Sequence, residues 1–307
     1  MFKNSFKLLC SNFDKVWKLL VYQILSWGIV VGLLAIFHDT YIPLLTEACN
    51  LNNIDSVFMS GTLYGINIPT ALTAICNAIL KFVELLFTTN VGAGIFLLVV
   101  LFFVRPLFAG VGKYVVCEMM YGFMATSSKH GFTSTLLRTL NKSLPYALVR
   151  LVFIIPFDAL IMTSIFGLTV ISHPLYAYAM PFLVVLFPAV CLAFKETFTA
   201  GWAPAMIVYD YNVFKAFVKG QRVILRRGAR VFSTSFVIYV FALVLSMVFG
   251  LYSLIVILPV IYPLYDIFEN VAFFSSQGMR FYSDLDTIVT PKKLEEVDKI
   301  EDAKYLL

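Results

Sequence analysis

Long apolar stretches separate the basic residues of this chain into clusters, and that spacing fixes its class. Of 23 Lys and Arg residues, 22 fall in four blocks: Lys3 to Lys18, Arg105 to Arg150, Lys195 to Arg230, and Arg280 onward. Only Lys81 lies outside them. Basic residues concentrate in the cytoplasmic segments of multi-span membrane proteins, so the spacing predicts a polytopic protein of a plasma or inner membrane with both termini in the cytoplasm. Composition agrees: 60% of residues are hydrophobic and 13% charged. Soluble domains carry about 25% charged residues, so the apolar excess has to face lipid. A net charge of +5 then reads as basic inner segments near anionic headgroups, since nucleic-acid binding would need a basic water-soluble domain. No small-residue cleavage site follows the first apolar stretch, which argues against a cleaved signal peptide.

The expected fold is all-α, a polytopic bundle of six transmembrane helices in a membrane domain of residues 1–283. The spans are 17–37, 91–112, 145–168, 178–194, 231–251 and 254–274. Each is near the roughly 20 residues needed to cross hydrocarbon, the fourth being short. Residues 69–88 are apolar too, but Thr70, Thr73, Asn77, Lys81, Glu84 and Thr88 recur every three or four positions. That is one narrow polar stripe on a helix. A crossing there would put the basic block from Lys113 to Lys142 outside, so an outer interfacial helix is expected, with Lys81 and Glu84 paired. The segment from His38 to Asn67 carries acids and no Lys or Arg, as an outer loop should.

Three inward-running spans share a spacing. Pro106 precedes Lys113 by seven residues, Pro188 precedes Lys195, and Pro263 precedes Asn270. Each outward span follows a basic amphipathic segment: Phe2–Lys18, Phe132–Lys142 and Phe214–Arg230. Three hairpins of one orientation would be parallel repeats. The abundance of proline in membrane helices explains the same pattern without repetition.

The sharpest periodicity lies in 213–230. Lys215, Lys219, Arg222, Arg226 and Arg230 form one stripe, Arg227 adjoins it, and no acid interrupts. Phe214, Phe217, Val218, Ile224 and Leu225 lie largely away from the stripe. A helix of this kind is expected in the inner headgroup layer, with its bases among lipid phosphates. Positive-inside anchoring alone would also account for the charges.

Around this helix the chain resembles a family. Trp202-Ala-Pro-Ala-Met-Ile-Val-Tyr-Asp210 leads into Tyr211-Asn-Val-Phe-Lys-Ala-Phe-Val-Lys-Gly220, then a basic run with Arg227-Gly228, and Arg280-Phe-Tyr-Ser-Asp284 closes the apolar part. These segments are similar to YciC-type integral membrane proteins and to the membrane domain that accompanies some glycerophosphodiester phosphodiesterases. The likeness covers the last third of the chain. It implies a multi-span membrane protein without an assigned reaction, and it supplies no catalytic residues. Gly220 stands where the family more often has Ser. A soluble phosphodiesterase domain is missing, so that activity does not carry over.

Charged residues inside spans are costly and mark candidate sites. Arg105, Asp158, Asp266 and Glu269 are the candidates. Pairing of Arg105 with Asp158 or Asp266 would be a structural role, and a solvated pathway a functional one. Arg150, near a helix end, is expected to snorkel to the interface. The three histidines are scattered, and HExxH, GxSxG and P-loop motifs are absent, so no catalytic residue, metal or cofactor is expected. Cys49 and Cys76, both expected outside, could bridge. The tail 284–307 carries seven acids and four bases, and Thr290-Pro291 reads as a helix start. The functional expectation is a bacterial, non-catalytic membrane protein that interacts with anionic phospholipids or assists assembly with a membrane or cytoplasmic protein partner. The alternative is a transporter or lipid translocator built on the four intramembrane charges.

Overall fold

Helix dominates because the apolar runs can satisfy their backbone in lipid only by internal hydrogen bonds. The computed structural model describes residues 1–54, 68–127, 130–170, 174–284 and 287–290. Helix α1 spans Phe2–Ser11, α2 Phe13–Leu34, and α3 His38–Leu51, joined to α2 by one tight turn at Ala35–Phe37. Then come α4 (Ile68–Thr89), α5 (Val91–Val99), α6 (Arg105–Thr126), α7 (Phe132–Val170) and α8 (Pro174–Thr199). The chain continues through α9 (Trp202–Tyr209), α10 (Val213–Leu225), α11 (Gly228–Phe249) and α12 (Tyr262–Gln277). A two-stranded antiparallel hairpin follows, β1 (Phe281–Asp284) with β2 (Thr287–Val289). This small hairpin is an addition to the all-α expectation, and it contains the expected boundary between membrane domain and tail.

Five segments are long and apolar enough to cross a membrane: Trp17–Leu51, Val91–Thr126, Phe132–Ser164, Gly228–Ser246 and Leu254–Gln277. They cover five of the six expected spans. The sixth, 178–194, lies in α8, where the side chains of 174–181 and 184 are outside the described residues. Three of the five run to 33–36 residues. At 1.5 Å per residue that is about 50 Å of helix against about 30 Å of hydrocarbon. Regions expected as loops are therefore helical extensions: His38–Leu51 continues the first span, and the basic stretch from Lys113 lengthens the second and third. The rest of the expected outer segment, 55–67, lies outside the described residues, as does the expected tail helix beyond Thr290. Helix α4 is continuous, and its Lys81 ammonium meets Glu84 at 3.1 Å.

Two prolines coincide with local widening of a helix. The π-helical turn Val100–Val104 precedes Arg105-Pro106, and Ile257–Ile261 precedes Tyr262-Pro263. Proline lacks an N–H and crowds the carbonyl four residues back, and a wider turn relieves that conflict.

The chain forms two compact units. Unit 1 comprises Met1–Ile24, Leu107–Val152 and Leu192–Leu307; unit 2 comprises Leu25–Pro106 and Phe153–Cys191. The core of unit 1 is aromatic. Trp202 packs on Phe217 at 4.6 Å and on Tyr146 at 5.6 Å, and Tyr146 packs on Tyr114 at 5.5 Å. In unit 2 a smaller core gathers Tyr41, Leu86 and Ala93, with Phe37, Phe82 and Leu97 against it. The Tyr41 hydroxyl donates to the Ala93 carbonyl at 2.8 Å.

Candidate functional site

Two features of unit 1 carry chemistry: the surface of α10, and a buried group of charges.

Helix α10 begins where the chain is forced to turn. Asp210 takes a left-handed conformation at φ 51° and ends α9, a role that short polar side chains tolerate. Asn212 then caps α10, its side-chain oxygen accepting from the Lys215 amide at 2.9 Å. Two glycines set how closely α9 and α10 cross. A Cβ at Gly220 would meet the Gly201 carbonyl oxygen at 2.2 Å, and one at Gly201 would meet the Gly220 carbonyl oxygen at 2.4 Å. The Trp202 indole N–H closes the joint, donating to the Val213 carbonyl at 2.8 Å.

That crossing divides α10 into three faces. Ala216, Gly220, Val223 and Ile224 are buried. Lys215, Lys219, Arg222 and Arg226 are exposed on a second face, within about 60° of one another at 3.6 residues per turn. The third face is apolar and open to the surroundings: Phe214 is 66% exposed, Val218 54% and Leu225 63%. The sequence placed Phe217 and Ile224 with this apolar set. The structure turns them inward, Ile224 fully buried and Phe217 against Trp202 and Phe198. Arg230 is exposed and Arg227 half-buried at the turn into α11. The Met1 amino group lies close to both, its pKa lowered by burial and then by the charges of Arg230 and Arg227.

One side of the basic face opens on a cleft of about 370 Å3, lined by Ala205, Tyr209, Tyr211, Lys219, Arg222, Val223, Arg226, Phe273 and Gln277. Tyr209 and Tyr211 stack at 5.3 Å, and Tyr209 meets Phe273 edge-on at 6.2 Å. The Tyr209 hydroxyl is held above its ordinary pKa, by burial and then by Tyr211. Lys215 sits over the Tyr211 ring at 4.3 Å. The nearest acid in sequence, Asp210, pairs with Lys142 at 2.6 Å.

The second feature joins four helices. The Lys113 ammonium of α6 contacts Glu269 of α12 at 2.5 Å and Glu196 of α8 at 3.0 Å. Arg150 of α7 lies 3.9 Å from Glu196. The Tyr265 ring faces Lys113 at 5.5 Å, and Thr199 donates to Glu196 at 3.4 Å. Asp266 is buried nearby on the same helix as Glu269, and the Asn270 amide donates to the Cys117 carbonyl at 3.2 Å. One oxygen of Asp266, one of Glu269 and the Arg150 Nε are buried with no hydrogen-bond partner among the described residues. Such groups are costly to bury.

Of the four intramembrane candidates, Asp266 and Glu269 belong to this group. Arg105 belongs to unit 2, its guanidinium 4.5 Å over the Trp27 ring. Asp158, half-buried, is also in unit 2. Arg150 was expected to snorkel, and the structure corrects that: it is only 7% exposed and stands among the charges. Sequence reasoning missed Lys113, Arg150 and Glu196 as members. A signal existed. Lys113, the Lys195-Glu196 pair and the Glu269-Asn270 pair occupy matching places after Pro106, Pro188 and Pro263, and the structure brings one charged side chain from each together.

Cys10, Cys49, Cys76, Cys117 and Cys191 are all free thiols, so Cys49 and Cys76 do not bridge here. Among the described residues no group of His, Cys, Asp and Glu could hold a metal ion. Comparison with family models, with curated proteins and with solved structures yields no match.

Proposed function

We propose that this multi-pass protein of a bacterial plasma membrane is non-catalytic and interacts with anionic phospholipids through α10, with both termini in the cytoplasm. The observation that supports this most is the three-faced surface of α10. A helix that binds a membrane interface needs apolar side chains for the acyl boundary beside bases for phosphate. Phe214, Val218 and Leu225 lie open beside Lys215, Lys219, Arg222 and Arg226. A helix serving only to sort topology needs the charges and not the exposed phenyl and leucyl groups. Each base near an anionic surface contributes about 1 kcal/mol, less in salt. The reading is of the kind that the YciC-type resemblance implies, a multi-span protein without an assigned reaction.

The test is lipid analysis of the protein extracted in native nanodiscs. Enrichment of anionic over zwitterionic lipid, lost when Lys219, Arg222 and Arg226 become Gln, is expected. Bulk lipid composition would refute the reading, and a stoichiometric protein partner would then favour a scaffold. The orientation has its own test. An impermeant thiol reagent on intact cells should reach Cys49 and spare Cys10, and the reverse result would invert the topology.

A second reading, a lipid translocator, draws on the buried group of three carboxylates and two cations, since ionisable groups inside membrane bundles serve transport pathways. Its measure is dithionite quenching of fluorescent phosphatidylglycerol in proteoliposomes. Quenching beyond the outer leaflet, abolished by Asp266→Asn with the fold intact, would support it. Quenching limited to the outer leaflet would exclude it.

A further inference from the structure

We infer that the cleft between α9, α10 and the end of α12 is a discrete binding site for one phosphate group bearing a small polar substituent. The inference deepens the proposed lipid interaction and rests on it. It assigns part of the basic face to a stoichiometric ligand instead of to diffuse attraction.

The lining explains the choice of ligand. Lys219, Arg222 and Arg226 recur at three- and four-residue steps and converge on one space with Tyr209, Tyr211 and Gln277. Among the described residues no carboxylate lines it. Among the described residues none of the three bases takes part in an ion pair, while Lys142 nearby takes up Asp210. A cleft with three cations and no acid selects an anion. Arg forks suit phosphate oxygens in particular, through paired N–H donors. The Tyr209 and Tyr211 hydroxyls and the Gln277 amide are uncharged donors and acceptors, fit for the hydroxyls of a glycerol or sugar substituent. A space of about 370 Å3 sits at the small end of ligand pockets. It accommodates a glycerophosphate-sized group.

Position separates this site from the rest of the basic face. Lys219, Arg222 and Arg226 line the cleft together with the buried residue Val223, and Phe214, Val218 and Leu225 do not. Lys215 sits over the Tyr211 ring without lining the cleft, and Arg230 lies beyond the turn. The cleft bases and the outlying bases should therefore behave differently. The same phosphate chemistry could come from a lipid headgroup or from a free phosphorylated metabolite.

The experiment uses the full chain in phosphatidylcholine nanodiscs. Binding of sn-glycerol 3-phosphate is measured by calorimetry, and retention of added phosphatidylglycerol by native mass spectrometry. The expected result is saturable binding of one equivalent in at least one arm. It should weaken by about tenfold or more in Arg222→Gln and in Arg226→Gln, a change of about 1.4 kcal/mol or more. Arg230→Gln should leave it within about twofold, and all three should retain the wild-type unfolding temperature. Binding of glycerol phosphate without lipid retention assigns a soluble ligand, and the reverse assigns a headgroup. Graded lipid retention that falls equally with every base removed, with no one-to-one limit, overturns the cleft and leaves the interfacial helix standing. Absence of any anionic preference overturns both.

Discussion

The two units of this protein divide its charge very unevenly. Unit 2 holds only Lys81 and Arg105 of the 23 Lys and Arg residues, and unit 1 holds the other 21. Their interiors differ in the same sense. The core of unit 2 is a small apolar cluster around Tyr41, Leu86 and Ala93, while unit 1 buries Lys113, Arg150, Glu196, Asp266 and Glu269 inside an aromatic core. In lipid, apolar side chains gain nothing by leaving the tails, so packing alone holds helices together weakly. A buried ion group instead favours one arrangement, because any other strands a charge. The contrast teaches that the specific structure of unit 1 rests on polar contacts between distant segments, and that of unit 2 on fit.

The contrast can be broken most directly at Lys113. Changing Lys113→Met leaves Glu196 and Glu269 buried without their shared cation and should cost about 3–5 kcal/mol. Thermal unfolding in detergent micelles should register this as a large drop or as failure to accumulate. The counterpart in unit 2, Lys81→Met, removes a pair whose side chains are 35% and 62% exposed. It should change stability by under about 0.5 kcal/mol. Equal effects at the two positions would remove the distinction between the units.

Glycine substitutions give the next largest difference. Gly220→Ala places a methyl group against the Gly201 carbonyl and should cost about 1–3 kcal/mol. Intrinsic Trp fluorescence should shift as Trp202 loses its seat at the crossing. In unit 2, Gly28 and Gly32 have nothing within 4 Å of an added Cβ. Alanine there should be neutral or stabilise by up to about 1 kcal/mol through helix propensity. A third comparison is smaller. Tyr41→Phe deprives the buried Ala93 carbonyl of a donor and should cost about 1 kcal/mol, visible as faster hydrogen exchange around α5. Small too, like Lys81→Met, should be Lys142→Gln. It breaks an exposed pair with Asp210, worth under about 1 kcal/mol, and its loss should fade further in high salt.

Much of this was legible without coordinates. The positions of five candidate crossings, the basic stripe of α10 and the Lys81–Glu84 pair each follow from residues close in sequence. The extent of the helices was not legible. His38–Leu51 reads as an acidic loop, because its polar residues obscure the apolar period, yet it prolongs the first span. The candidate site was half visible: the spacing of its bases is a local period, but the cleft beside them needs Tyr209, Phe273 and Gln277 from other helices.

The sequence by itself determined that this is a helical membrane protein, which segments are apolar enough to cross, and that one amphipathic helix carries a basic stripe. Those properties depend on hydropathy and on a 3.6-residue period, both read within a few turns of chain. Only the tertiary structure decided which charges meet. Lys113 finds Glu196 83 residues away and Glu269 156 residues away, and Gly220 finds the backbone of Gly201. Such meetings depend on how closely and at what angle helices cross, and no local period encodes that.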